Sequence, residues 1–409
     1  MPVAAPPAPA PPPTSRVYDA LAPHRERLVA SEHDILLTQV ALSEIPSPTG
    51  SEEARGREVA RIMRGLGLRV RVDEVGNVIG RRAGTDGGAP VVVCAHLDTV
   101  FPAGTDVSVR RDGNRLIGPG IGDNARGLAA MLALAKILDG DKLRAEHPVD
   151  FVATVGEEAL GDLRGAKHFF ANDGRDAAAA IMLDGPGDER VVHRAVGSRR
   201  YRVLFAGPGG HSWSAYGLPN PLHAAGNAAA MLSALAIPAE PRTTLTVARI
   251  EGGLSINAIP AGATMEIDLR STSQPMLDRL DREVRAIIDA ATAQENDRRA
   301  RGTAPLRVSV ESLGDRPGGE TPVAHPLVNA AIDATRLVGR EPELGAASTD
   351  ANAPIALGIP AVALGAGGRG GDAHTAQEWF ENTSGSVGLA RALVVICCAA
   401  GIQAVGGRR

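Results

Sequence analysis

The sequence predicts an α/β protein: one domain on a mainly parallel sheet, interrupted by a smaller α+β domain. Three observations carry this. Short apolar runs such as VVVCA, FVATV and AAIML alternate with helical segments up to about residue 195, the pattern of βαβ units. Near residue 197 the pattern changes to strand, helix, strand, strand, helix, strand, a ferredoxin-like order that closes on LRVSVESL. From about 319 the first style resumes, with helix 326–338, strand AVALG and helix 384–402. Residues 16–195 and 319–409 therefore read as one split domain, with 196–318 inserted into it.

The elements follow in order. Residues 1–15, MPVAAPPAPAPPPTS, read as a disordered, polyproline-like tail without the basic and apolar regions of a secretory signal. Helical signals run over 18–44 and 51–66, and strands over 68–73 and 77–82. The apolar strand APVVVCAHLD ends at Asp98, and a helix, NARGLAAMLALAKIL, begins after Asp123. Strand VDFVATVGEE, helix 163–171 and strand AAAIMLDG complete this part. The inserted domain comprises YRVLFAG, helix 219–236, TTLTVARIEG, ATMEIDLRS, helix 276–296 and the closing strand. The terminal GGRR reads as frayed.

Composition narrows the function. A chain of 409 residues fits two to three domains and needs no disulfide scaffold. The 43 basic and 47 acidic residues leave a net charge of −4, which provides no footprint for nucleic acid or an anionic membrane. Only 3% of residues are aromatic, which argues against base-stacking or glycan-stacking surfaces. No run of 18 apolar residues predicts a membrane span. Of three cysteines, Cys397 and Cys398 are adjacent, which points to a reducing, cytoplasmic compartment.

Chemistry-bearing residues gather at predicted strand ends. His96 and Asp98, two apart, share a face of their strand. A metal-binding histidine commonly gives its second nitrogen to a carboxylate, a pair that His-x-Asp at a strand end supplies, although a structural histidine at a strand end reads the same way. Asp123 sits between a glycine-rich loop and a helix, where it or Asn124 would cap the helix. Glu157 and Glu158 end a buried-looking strand and point to different sides, unlike an ordinary solvated pair. Asp184 precedes a Gly/Pro turn and His374 follows a glycine-rich loop; a turn aspartate and a loop histidine are their plain alternatives. In open α/β sheets, ligands bind beyond the carboxyl ends of strands. Two histidines with several carboxylates and no thiolate suit a pair of divalent ions such as zinc, cobalt or manganese.

With these segments in hand, the chain resembles the co-catalytic zinc peptidase family that includes glutamate carboxypeptidase, peptidase T, aminoacylase and succinyl-diaminopimelate desuccinylase. The motifs are AHLDTV, GPGIGDNARGLAAML, VGEEALGDLRGAKHFF, MLDG, GPGGHSW, GLSINAIP with EIDLRS, and STDANAPIALGIPAV with GGDAHTAQEW, in family order from about residue 40. The resemblance implies a phosphorylase/hydrolase-like catalytic domain with an inserted lid and dimerisation domain. It places His96 and Asp184 on one metal, Glu158 and His374 on the other, and Asp123 between them. Asp98 would orient His96 and Glu157 would be the general base. His211 would reach the substrate carbonyl across a homodimer, and Asn257 and Arg270 would hold the substrate's polar groups. Ala159 departs from the glycine common after the Glu-Glu pair.

The resemblance thus implies a binuclear, most often zinc-dependent, hydrolase of small peptides of the aminopeptidase or di/tripeptidase type. Asp184, where acylase and carboxypeptidase branches tend to have glutamate, leans that way. The alternative is an N-acyl-amino-acid amidohydrolase or a carboxypeptidase. A binding module that keeps the fold would show a degraded site, yet every expected donor is present. Trp213, beside His211, would line the substrate pocket or pack within the inserted domain, the latter being the expectation. Thr349 and Asp350 read either as cleft residues or as a helix cap.

Overall fold

The computed structural model describes residues 14–138, 143–401 and 403–404. Two compact units emerge: the described residues up to Arg194 together with those from Glu320, and Ala195–Gly319.

The larger unit is built on one mixed sheet. Its centre is four parallel strands in the order Val149–Thr154, Val91–His96, Ala179–Leu183 and Ala361–Leu364. All four are buried along their whole length, because helices cover a parallel sheet on both faces and leave no polar stripe. Antiparallel strands flank them: Val78–Arg82 on one side and Arg190–Ala195 on the other. The C-terminal strand lies inside this sheet, with Ala361 opposite Ala180 and Leu364 opposite Val191. One core accordingly joins Val93, Phe151 and Leu128 with Val328 and Leu393. That shared core explains why the two stretches of chain fold as one body.

The N-terminal expectation needs correction in two places. Residues 1–13 of the proposed tail lie outside the described residues, but Thr14 and Ser15 open a helix. The single helix expected over 18–44 is three: Thr14–Ala20, Ala22–Ala30 and Glu32–Ser43. Pro23 stands in the first turn of the second, where its missing N–H costs nothing, whereas inside a continuous helix it would break the ladder. The terminal GGRR lies outside the described residues.

A small four-stranded antiparallel sheet was not anticipated. It orders Arg369–Gly371, Trp379–Glu381, Arg115–Ile117 and Arg110–Asp112, with Trp379 opposite Ile117. Its strands are three residues long, too short for a period to show in sequence. It matters because it ties the loop carrying His374 to the loop carrying Asp123.

The smaller unit is a four-stranded antiparallel sheet ordered Thr243–Gly252, Gly262–Ser271, Gly197–Ala206 and Arg307–Arg316. Two helices, Pro221–Ser233 and Gln274–Asp297, cover one face, which is the ferredoxin-like arrangement. Leu277, Leu280, Val284, Ile288 and Ala291 recur at helical spacing and meet Val203, Met265 and Leu269. Each such buried aliphatic stabilises by about 1.5–3 kcal/mol.

No helix among the described residues is long and apolar enough to cross a membrane. All three cysteines are free. Cys94 is fully buried, and burial drives its thiol well above the usual range, so it belongs to the core.

Candidate metal centre

The site is assembled from the ends of the central strands. His96 closes the strand Val91–His96, and its Nδ1 donates to the main-chain oxygen of Asp98 at 3.0 Å. That bond leaves Nε2 facing Asp123 Oδ1 at 2.9 Å and Asp184 Oδ1 at 3.9 Å. The second oxygen of Asp123, Oδ2, lies 3.3 Å from His374 Nε2, and His374 Nε2 lies 3.2 Å from Glu158 Oε1. One carboxylate thus faces a histidine with each oxygen.

The donors form overlapping triads: His96 with Asp123 and Asp184, Asp123 with Glu158 and His374, and His96 with Glu157 and Glu158. Within each triad the donor atoms lie within 4.8 Å of one another. All seven residues at or beside the site, Asp98 included, belong to the larger unit.

Electrostatics shows what this cluster asks for. Burial, reinforced by the Asp123 charge, pushes Glu158 up to about 7 and Asp184 up to about 6. Asp123 is itself buried, yet His374 and His96 hold it below the usual carboxylate range. His374 is pushed up to about 9 by its bond to Asp123 and by Glu158. His96 rises well above its ordinary value because Asp123 and Asp98 outweigh its burial. Carboxylates this close repel one another, and burial makes each charge costly. Oxygen and imidazole donors gathered around two centres fit a pair of divalent cations.

Buried acceptors hold the donor loops from behind. Asp98, fully buried, accepts the N–H of Glu157 on Oδ1 and of Glu158 on Oδ2, both at 2.9 Å, and the Thr49 hydroxyl on Oδ2. Its carboxylate stands 3.6 Å from His96 Nδ1, farther than its own main-chain oxygen. It therefore braces the two glutamates more than it orients the histidine. Despite burial, His96 and the two N–H bonds lower its pKa to about 2. Glu52, paired with Arg164, accepts the N–H of Gly156. Asn124 caps the helix by accepting from Gly127, and also clasps the residues flanking Asp184, donating to Leu183 and accepting from Gly185. Asn124 thus caps the helix, while the side chain of Asp123 faces the two histidines.

The profile of Peptidase family M20/M25/M40 matches residues 92–395. The chain belongs to this family. It is therefore a hydrolase acting on carbon–nitrogen bonds. A succinyl-diaminopimelate desuccinylase from Corynebacterium glutamicum is 28% identical over 344 residues, covering 81% of this chain and 88% of the relative. A relative in Aeropyrum pernix is 31% identical over 240 residues, 58% of this chain and 63% of its own length. The crystal structure of a tripeptidase from Staphylococcus aureus superposes with a TM-score of 0.74 at 23% identity, covering 90% of this chain and 99% of that one. The last likeness concerns the fold.

The smaller unit of this family member treats its candidates differently. His211 lies on a two-stranded ribbon opposite Ala258, exposed, its Nδ1 accepting from the N–H of Trp213 at 3.2 Å. Asn257 is its neighbour there: its main-chain oxygen accepts from Ser212 and its side chain from Ser255. Arg270 sits at the opposite end of the strand Gly262–Ser271 and pairs with Asp268 at 2.7 Å. The structure thus brings His211 and Asn257 together and keeps Arg270 apart. Trp213 is 87% exposed, contrary to its expected packing, and takes no part in the core of the smaller unit. Thr349 caps the following turn, its Oγ1 accepting from Ala351, while Asp350 is buried against the Thr154 hydroxyl.

Sequence reasoning missed Glu378, which lies within a quoted motif without drawing notice. It also missed why Ala159 stands out: its φ is 44°, the left-handed region where glycine is preferred.

Proposed function

We propose that the protein is a binuclear zinc-dependent hydrolase that cleaves amide bonds of small peptides, as an aminopeptidase or a di- or tripeptidase. The observation that carries the reading is Asp123, whose two oxygens face His96 and His374. His96 and Asp184 would hold one cation, Glu158 and His374 the other, with Asp123 shared. Bound there, such a pair polarises the scissile carbonyl and lowers the pKa of water. Cobalt or manganese would suit the same donors.

The chain's own groups do the rest. Glu157, in the same donor triad as His96 and Glu158, takes a proton from the attacking water and delivers it to the leaving amine. Asp98 keeps that glutamate in place through its main chain. His211 donates to the carbonyl oxygen as it becomes an oxyanion, contributed by the second copy of a homodimer. Asn257 binds the substrate's polar groups. Arg270 is suited to a substrate carboxylate once it leaves Asp268. The free cysteines support a reducing, cytoplasmic setting.

Metal analysis with Glu157→Gln tests the reading. Two cations per chain are expected in both proteins, with turnover in the variant lowered about 10²–10⁴-fold. Undiminished hydrolysis would refute the proton role. A second reading, an N-acyl-amino-acid amidohydrolase, is supported by the 81% coverage in the match to the desuccinylase. A panel of free peptides, N-blocked peptides and acyl-amino acids separates the two. Turnover of N-blocked substrates alone would sink the aminopeptidase reading.

A further inference from the structure

We propose that Glu378 is a positioning residue that locks the loop carrying Asp123 to the loop carrying His374, and so sets both cation positions at once. The proposal rests on the two-cation reading above, but its observations are separate from the donor atoms.

Glu378 is 1% exposed. A buried carboxylate needs several donors, and this one finds them in a single stretch of main chain. Oε2 accepts from Gly120 N at 3.0 Å, and Oε1 accepts from Gly122 N and Asp123 N, each at 2.8 Å. N–H groups of one short loop converging on an anion form a nest-like cradle, here from three of four successive residues. The nest depends on its glycines. Gly120 has φ +73°, and a Cβ on Gly122 would stand 3.2 Å from Glu378 Oε1. The main chain adds a fourth tie, with Gly118 N–H donating to Glu378 O at 2.9 Å, and Trp379 then pairs with Ile117.

The consequence for the site is direct. Glu378 lies four residues beyond His374 and is bonded to the N–H of Asp123 itself. One short segment therefore carries a donor to one cation position and fixes the residue shared by both. Without the clamp, the Asp123 loop keeps its ties through Gln39 and Ser43 but loses three N–H bonds, that of Asp123 among them. Asp123 is then held less firmly with one oxygen towards His96 and the other towards His374.

The experiment titrates Co²⁺ into metal-free protein, following heat and visible absorption, for the native chain, Glu378→Gln and Gly122→Ala. Glutamine keeps the size but puts an NH₂ group where an acceptor is required. Alanine at 122 crowds the carboxylate without deleting it. Both variants are expected to stay folded by circular dichroism, to bind the second Co²⁺ at least ~10-fold more weakly, and to show shifted cobalt bands. Native affinity and native bands in both variants would overturn the proposal, even if activity fell. Loss of fold in both would equally overturn it, since Glu378 would then be structural only. A native chain that binds fewer than two Co²⁺ would instead defeat the two-cation reading beneath it.

Discussion

The donor loops of the larger unit and the ribbon of the smaller one carry their polar residues in opposite ways. Behind the clustered donor side chains stand buried acceptors: Asp98 behind Glu157 and Glu158, Glu378 behind Asp123, and Asn124 beside Asp184, accepting from Gly185. Among the described residues, the bonds of His211 and Asn257 stay within an exposed ribbon and its turns. Cation ligands must be held at fixed separations, because neighbouring carboxylates otherwise repel one another apart. Groups that meet a substrate need reach more than rigidity, and their order can come with the ligand.

The strongest way to break this contrast is to remove a brace. Asp98→Ala strands two buried N–H groups, each costing about 1–3 kcal/mol, so a loss of roughly 2–6 kcal/mol is expected. Urea unfolding of the metal-free protein measures it; a change below about 1 kcal/mol would mean the brace is dispensable. His211→Ala should do the reverse. Turnover should fall roughly 10²-fold, about 2.7 kcal/mol in the barrier, with cation content and unfolding midpoint unchanged. A loss of bound metal in that variant would collapse the distinction.

A pH series sharpens it further. His374, raised from 6.5 to about 9, and Glu158, raised from 4.5 to about 7, both hold protons in the folded chain that the unfolded chain releases at lower pH. The His374 contribution is full below its unfolded value and lost as pH rises through about 9. Metal-free protein should therefore lose stability as pH rises from about 6 to 9. Cation binding carries the opposite sign. Glu158 and Asp184, at about 7 and about 6, must give up protons to bind, so affinity should climb from pH 6 to pH 8 with proton release. Calorimetry in buffers of different ionisation enthalpy reads both, and a flat affinity would contradict the cluster's electrostatics. The smallest effect concerns the backbone. Ala159→Gly should stabilise by about 1 kcal/mol by relieving the left-handed conformation, against the entropy glycine adds to the unfolded chain. A destabilised variant would show that the turn's rigidity matters more.

Much of the fold was legible because it is written in local patterns. The strands Val91–His96, Val149–Thr154 and Ala179–Leu183 are continuous apolar runs, as strands buried on both faces must be. The strand-end donors were legible as residue types, since His, Asp and Glu are out of place where apolar runs end. The helix break at Pro23 is readable from the residue itself, since proline is favoured in a first helical turn and disfavoured inside a helix. The three-residue strands were not readable, because they owe their existence to partners elsewhere in the chain.

The sequence by itself determined the alternation of elements, the split around residues 195–319 and the inventory of candidate donors, because periodicity and residue chemistry are local properties. Only the tertiary structure decided that Asp123 turns one oxygen to each histidine, that Asn124 rather than Asp123 caps the helix, and that Glu378 closes on Gly120–Asp123. The first and last of these depend on meetings between residues far apart along the chain, set by packing and leaving no local trace, whereas the cap is a bond to Gly127 that either neighbour could have made.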